Sequence, residues 1–149
     1  MSEKKPLQRK IAELALTKKA KDVIILDLRK LTSMTDYFVV CTGDSETHVK
    51  AIADAVMSGM EGLEERAWHT EGFQNLQWVL LDYVDVVVHV FQKDARLFYG
   101  LEKLWGDAKV QKVVDRPSDL HEKKPAEVFA KIHDSKKSRR LVKGKMVEE

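Results

Sequence analysis

The chain predicts an α/β fold in which a mixed β-sheet is flanked by α-helices. Three observations carry that expectation. Segments rich in β-branched and aromatic residues, VIILDL at 23–28, DYFVVCT at 36–42 and WVLLDYVDVVVHVF at 78–91, have strand character. Around them, apolar residues recur at steps of three and four, the period of an amphipathic helix. The resulting order, α-β-β-α-β-β-α, offers too few helices and too closely coupled strands for a doubly wound parallel sheet. With 149 residues at 44% hydrophobic composition, one domain can bury a core without disulfide or metal staples.

The elements follow in order. Leu7, Ile11, Leu14 and Ala15 lie on one helical face after Pro6, a residue suited to a first turn, and predict a helix over 6–20. Strands at 23–28 and 36–42 come next, the second ended by Gly43. Val49, Ile52, Ala53, Val56, Met60 and Leu63 then mark a long amphipathic helix that Asp44 or Ser45 can cap and Gly62 closes. The run 78–91 is too β-branched for a helix and too long for one strand, so it predicts a hairpin bent near Val84. A last helix from Asp94 to about Ala108, with Asp94 as N-cap, is expected to bury Leu97, Phe98, Leu101, Leu104, Trp105 and Ala108 as core. Beyond it lie a weak apolar set, Val128, Phe129 and Ile132, and the basic run KKSRRLVKGK. Residues 1–108 thus read as the domain and 109–149 as a basic, partly disordered extension.

Charge supports that division. Residues 1–108 hold 14 Lys/Arg against 17 Asp/Glu, net −3, whereas 109–149 hold 12 against 7, net +5. An acidic body with a basic tail attracts polyanions through the tail alone. Cys41 is the only cysteine and sits in an apolar run, which excludes an intrachain disulfide and a CxxC pair and suits a reduced, cytoplasmic setting. The start MSEKKPLQRK has no apolar stretch of the kind an export signal needs, and no apolar run approaches the roughly 20 residues of a membrane span.

Candidate chemistry is sparse. TGDSETH joins a strand to a helix and could aim backbone N–H groups at an anion, but the same residues serve as an ordinary cap, and Asp44 repels anions. There is no GxGxxG and no GxxxxGK[ST]. A metal-dependent nucleotidyl transferase wants two carboxylates as DxD on one strand face. Asp82 and Asp85 are three apart, on opposite faces of an extended strand, and a turn accounts for both. His89 reads as a half-buried strand histidine on the face of Val87 and Phe91. His48 and His69 have no second ligand at a usable spacing. No catalytic residue, metal ligand or cofactor site is expected.

Five blocks in order, TDYFVVCTGDS, HVKAIADAV, EG followed by WVLLDY, DVVVHVF and RLFYGLEKLWGDA, resemble the ribosomal silencing factor family, also called RsfS or Iojap-like. The resemblance runs from about Asp27 to Ala108. It implies a small α/β protein whose fold is similar to that of nucleotidyltransferases without their catalytic carboxylates, and no enzymatic activity. It further implies a translational repressor that binds the large ribosomal subunit through ribosomal protein L fourteen. Binding blocks joining of the small subunit when nutrients are scarce. A homodimer in the free state is also implied. Two positions depart from the family pattern. Val84 stands where the family usually has Gly between the strands, so the turn must differ or be strained, and Thr47 replaces an Arg in GDSETH.

On that reading, alternation puts Trp78, Leu80 and Asp82 on one side of their strand and Val79, Leu81 and Tyr83 on the other. Trp78, Leu80, Asp82 and Tyr83 are the expected partner contacts, with Asp85 and Glu71 as a charged rim facing a basic ribosomal protein. The basic extension is a candidate for ribosomal RNA phosphate contacts. Two other readings stay open: an RNA-binding module acting through that extension, and a vestigial nucleotidyltransferase.

Overall fold

The computed structural model describes residues 5–114. They form helix α1 (Leu7–Leu16), strands β1 (Lys21–Asp27) and β2 (Tyr37–Gly43), helix α2 (Glu46–Glu61) and strands β3 (His69–Glu71), β4 (Trp78–Asp82) and β5 (Val86–Gln92). The short helices α3 (Lys93–Tyr99) and α4 (Leu101–Leu104) and strand β6 (Lys109–Val113) complete the order. One six-stranded sheet runs β3-β4-β5-β2-β1-β6. Only β2 and β5 pair in parallel and the other four pairs are antiparallel, so the sheet is mixed, as the sequence predicts.

The β2–α2 junction shows why the sequence folds as it does here. Ser45 Oγ accepts from the His48 N–H at 3.1 Å, which makes Ser45 the cap. His48 Nδ1 accepts the Asp44 N–H at 2.8 Å while Nε2 donates to the Lys18 carbonyl at 2.7 Å, tying the end of α1 to the start of α2. These N–H groups are occupied within the chain, and Asp44 pairs with Lys21 at 3.1 Å, so the turn serves as a cap rather than an anion cradle. Helices α1 and α2 lie side by side over one sheet face. Ile11, Ala12, Ala15, Val49, Ile52, Val56 and Met60 meet Val39, Cys41, Val79, Leu81, Val88 and Val90 in the main core. Burial drives the Cys41 thiol up to about 12, so it stays protonated and unreactive.

The hairpin falls at 78–92 with its bend at Val84, and the bend is strained. Asp85 N–H donates to the Tyr83 carbonyl at 2.9 Å, and Val84 between them has φ +74°. This is the γ-turn form that a β-branched residue adopts only at a cost of about 1–3 kcal/mol. Asp82 Oδ1 accepts the Val84 N–H at 2.8 Å. Asp82 is therefore a turn residue as well as a strand residue.

Three expectations need correction. The last helix does not run from Asp94 to Ala108. It stops at Tyr99, because Gly100 turns left-handed at φ +57°, and resumes for one turn as α4. Its supposed core stripe splits accordingly: Leu101 is buried and Trp105 and Ala108 are half-buried, whereas Leu97, Phe98 and Leu104 are 74%, 80% and 73% exposed. Asp94 is not the cap either; Gln92 holds that position without a side-chain bond. Secondly, the sheet does not end at 108, for β6 pairs with β1 from Val23↔Val113 to Asp27↔Lys109. Thirdly, the link before the hairpin contains the edge strand β3. The apolar set Val128, Phe129 and Ile132 and the basic run at 136–145 lie outside the described residues.

Candidate docking face

The sheet's second face is assembled from alternate residues of every strand. Cross-strand register puts Glu71, Leu80, His89, Val40, Ile24 and Lys112 in one row, and His69, Asp82, Val87, Phe38, Leu26 and Val110 in the next. Trp78 stands opposite Phe91. A smaller core of Ile24, Leu26, Leu28, Val40, Phe91, Ala95 and Leu101 covers the middle of this face, with Phe38, Trp78 and Trp105 packed at its margin. The corner between α3 and α4 that overlies it is held by Arg96. Its guanidinium makes a two-pronged contact with Glu102 at 3.0 and 2.9 Å and donates to the Asp22 carbonyl and Thr42 Oγ1, both at 2.8 Å.

Aromatic rings concentrate here. Trp78 packs against Phe91 (centroids 4.9 Å) and Tyr99 (4.6 Å), Phe98 meets Tyr99 edge-on at 5.0 Å, and Phe38 meets His89 at 4.4 Å and Trp105 at 5.9 Å. His89 is buried rather than half-buried, at 3% exposure. Burial lowers its imidazole pKa to about 3, so the ring is neutral. Its Nδ1 accepts from the Trp78 indole N–H at 3.0 Å.

The structure brings together four of the six expected contact residues. Trp78, Leu80 and Asp82 share this face half-buried, and Glu71 joins them from the edge strand, exposed and bonded to His69 Nε2 at 2.7 Å. Asp85 is exposed in the hairpin bend, where its carbonyl accepts the Asp36 and Tyr37 N–H groups. Tyr83 does not belong with them. It points to the opposite face, is 7% exposed in the main core, and burial followed by the charges of Glu61 and Glu65 raises its hydroxyl to about 12. Sequence reasoning missed Phe98, Tyr99 and Leu104 as surface residues; the signal that could have found them is Gly100, a helix stop in the middle of an assumed helix.

Among the described residues no group of three or more His, Cys, Asp and Glu side chains is placed to hold a metal ion. No helix among them is long and apolar enough to cross a membrane. These features define a mixed-sheet α/β protein with one aliphatic face sealed by helices and one aromatic face left partly open.

The sequence model described as "Ribosomal silencing factor during starvation" matches residues 1–141, and the chain belongs to that family. It is 45% identical over 91 residues to the ribosomal silencing factor RsfS of Bacillus subtilis strain 168, covering 61% of this chain and 77% of the relative. The RsfS of Halalkalibacterium halodurans is likewise 45% identical, over 93 residues, with 61% and 78% covered. Among solved structures, a crystal structure of a Chromobacterium violaceum protein superposes with a TM-score of 0.65 at 40% identity, covering 72% of this chain and 90% of that one. The family match extends well past residue 108, into the basic segment.

Proposed function

We propose that this protein is a translational repressor that docks on the large ribosomal subunit, through ribosomal protein L fourteen, and sterically blocks joining of the small subunit under nutrient limitation. Family membership supports action on the ribosome. The observation that carries the docking site is the clustering of Trp78 and Leu80, half-buried, with Asp82 and Glu71 on the sheet face that α3 and α4 cover only in part. Aromatic and aliphatic anchors ringed by carboxylates, on a body of net charge −3, complement a basic ribosomal protein. The relatives are named silencing factors, and the role is one of occupancy rather than turnover. It is set in the cytoplasm, with ribosomal RNA phosphates as partners for the basic segment and a homodimer as the free form.

Sedimentation of purified subunits at associating magnesium tests the reading. With the protein present, it should travel with the large subunit and the joined peak should fall. Trp78→Ala should abolish both effects, while Arg139→Glu with Arg140→Glu should only weaken them. The reverse pattern would replace silencing by tail-driven RNA binding.

A further inference from the structure

The Trp78 indole has a single N–H donor, and it is spent inward, on His89 Nδ1 at 3.0 Å. That bond fixes the imidazole's proton on Nε2, which is buried with no hydrogen-bond partner among the described residues. Around the imidazole stand the rings of Phe38, edge-to-face at 4.4 Å between centroids, and of Phe91, stacked at 6.2 Å. Strand β5 otherwise offers Val86, Val88, Val90 and Phe91 to the two cores. A valine or leucine at position 89 would remove the unpartnered Nε2–H but leave the Trp78 N–H without its acceptor, so what histidine contributes at this position is that one bond, set against a buried donor of its own.

What the histidine adds is orientation. The indole is held by Nδ1 on one edge and flanked by Phe91 and Tyr99 at the margin of the smaller core, where it is half-buried. We propose that His89 is a positioning residue of the docking face: it preorganises Trp78 so that the partner meets a fixed aromatic ring rather than a mobile one. This rests on the docking role proposed above. A partner then pays less ordering entropy on contact and finds the ring's carbon edge, with no free N–H to satisfy.

The test compares His89→Leu, which keeps bulk and removes the acceptor, with His89→Asn, whose Oδ1 occupies the position of Nδ1. Both are assayed in the full chain by association with purified large ribosomal subunits. His89→Leu should weaken association roughly tenfold, mainly through faster dissociation, and His89→Asn should recover most of it. In the wild-type protein, the Trp78 indole proton should exchange with solvent far more slowly than that of Trp68, which is 76% exposed. His89→Leu binding as tightly as wild type, or Trp78 and Trp68 indole protons exchanging equally fast, would overturn the proposal. If wild-type protein ignores large subunits while the Trp78 proton is protected and His89→Leu releases it, the docking role fails and the positioning bond stands.

Discussion

The two faces of the sheet are built from the same strands, and often from adjacent residues, yet to different specifications. On the face under α1 and α2, aliphatic side chains interlock to full burial, and α2 approaches α1 so closely that a Cβ on Gly59 would collide with Leu14. On the other face, rings replace aliphatics, cover comes from two short helices broken at Gly100, and large apolar groups remain exposed. A monomer seldom leaves such a patch open without using it. The first face is where stability resides; the second gives up burial and leaves large apolar groups in solvent.

Adjacent leucines on β4 offer the sharpest way to break this contrast. Leu81 is fully buried on the sealed face, and Leu81→Ala should cost about 2–5 kcal/mol in urea unfolding. Leu80 is half-buried on the open face, and Leu80→Ala should cost under about 1 kcal/mol while weakening large-subunit association. Equal stability losses at the two positions would erase the distinction. Gly72 probes the junction between edge and face: at φ +94° its missing Cβ would be driven into the Trp78 carbonyl. Gly72→Ala should therefore destabilise by about 2–4 kcal/mol and displace β3 with its rim residue Glu71, visible as lost amide protection at 69–71.

Acid should find the aromatic face first. The buried His89 takes up its proton only as pH falls to about 3, against about 6.5 unfolded, so between those values the unfolded chain binds the extra proton and stability falls as pH falls. The slope attributable to this group approaches about 1.4 kcal/mol per pH unit. His89→Leu should flatten the pH dependence of urea midpoints between 6.5 and 4 by that amount. Asp27 acts in a separate window. Its hydrogen bonds from Arg29 hold its carboxyl down at about 2, and their contribution is lost only as pH falls below about 4 toward that value. At the hairpin bend the sign reverses: Val84→Gly should raise stability by about 1 kcal/mol, strain relieved outweighing the entropy of an added glycine. It should leave association unchanged.

Much of this was legible in one dimension. Alternation along 78–82 and 86–91 sorted Trp78, Leu80 and Asp82 from Val79, Leu81 and Tyr83, because strand side chains alternate whatever the sheet later packs against. Val84 marked a bend that had to differ from the usual turn or be strained, since its type disfavours positive φ, and the structure shows the strained form. A cap at Asp44 or Ser45 was readable, with the structure choosing Ser45, and five spaced blocks declared the family. Alternation, however, says which residues share a face and not what covers it. Only the tertiary structure put Tyr83 under α2, left Leu97, Phe98 and Leu104 in the open, and recruited Lys109–Val113 as an edge strand. Those outcomes depend on long-range pairing and on one left-handed glycine at position 100. The helical period of apolar residues runs straight through that glycine, while the backbone does not.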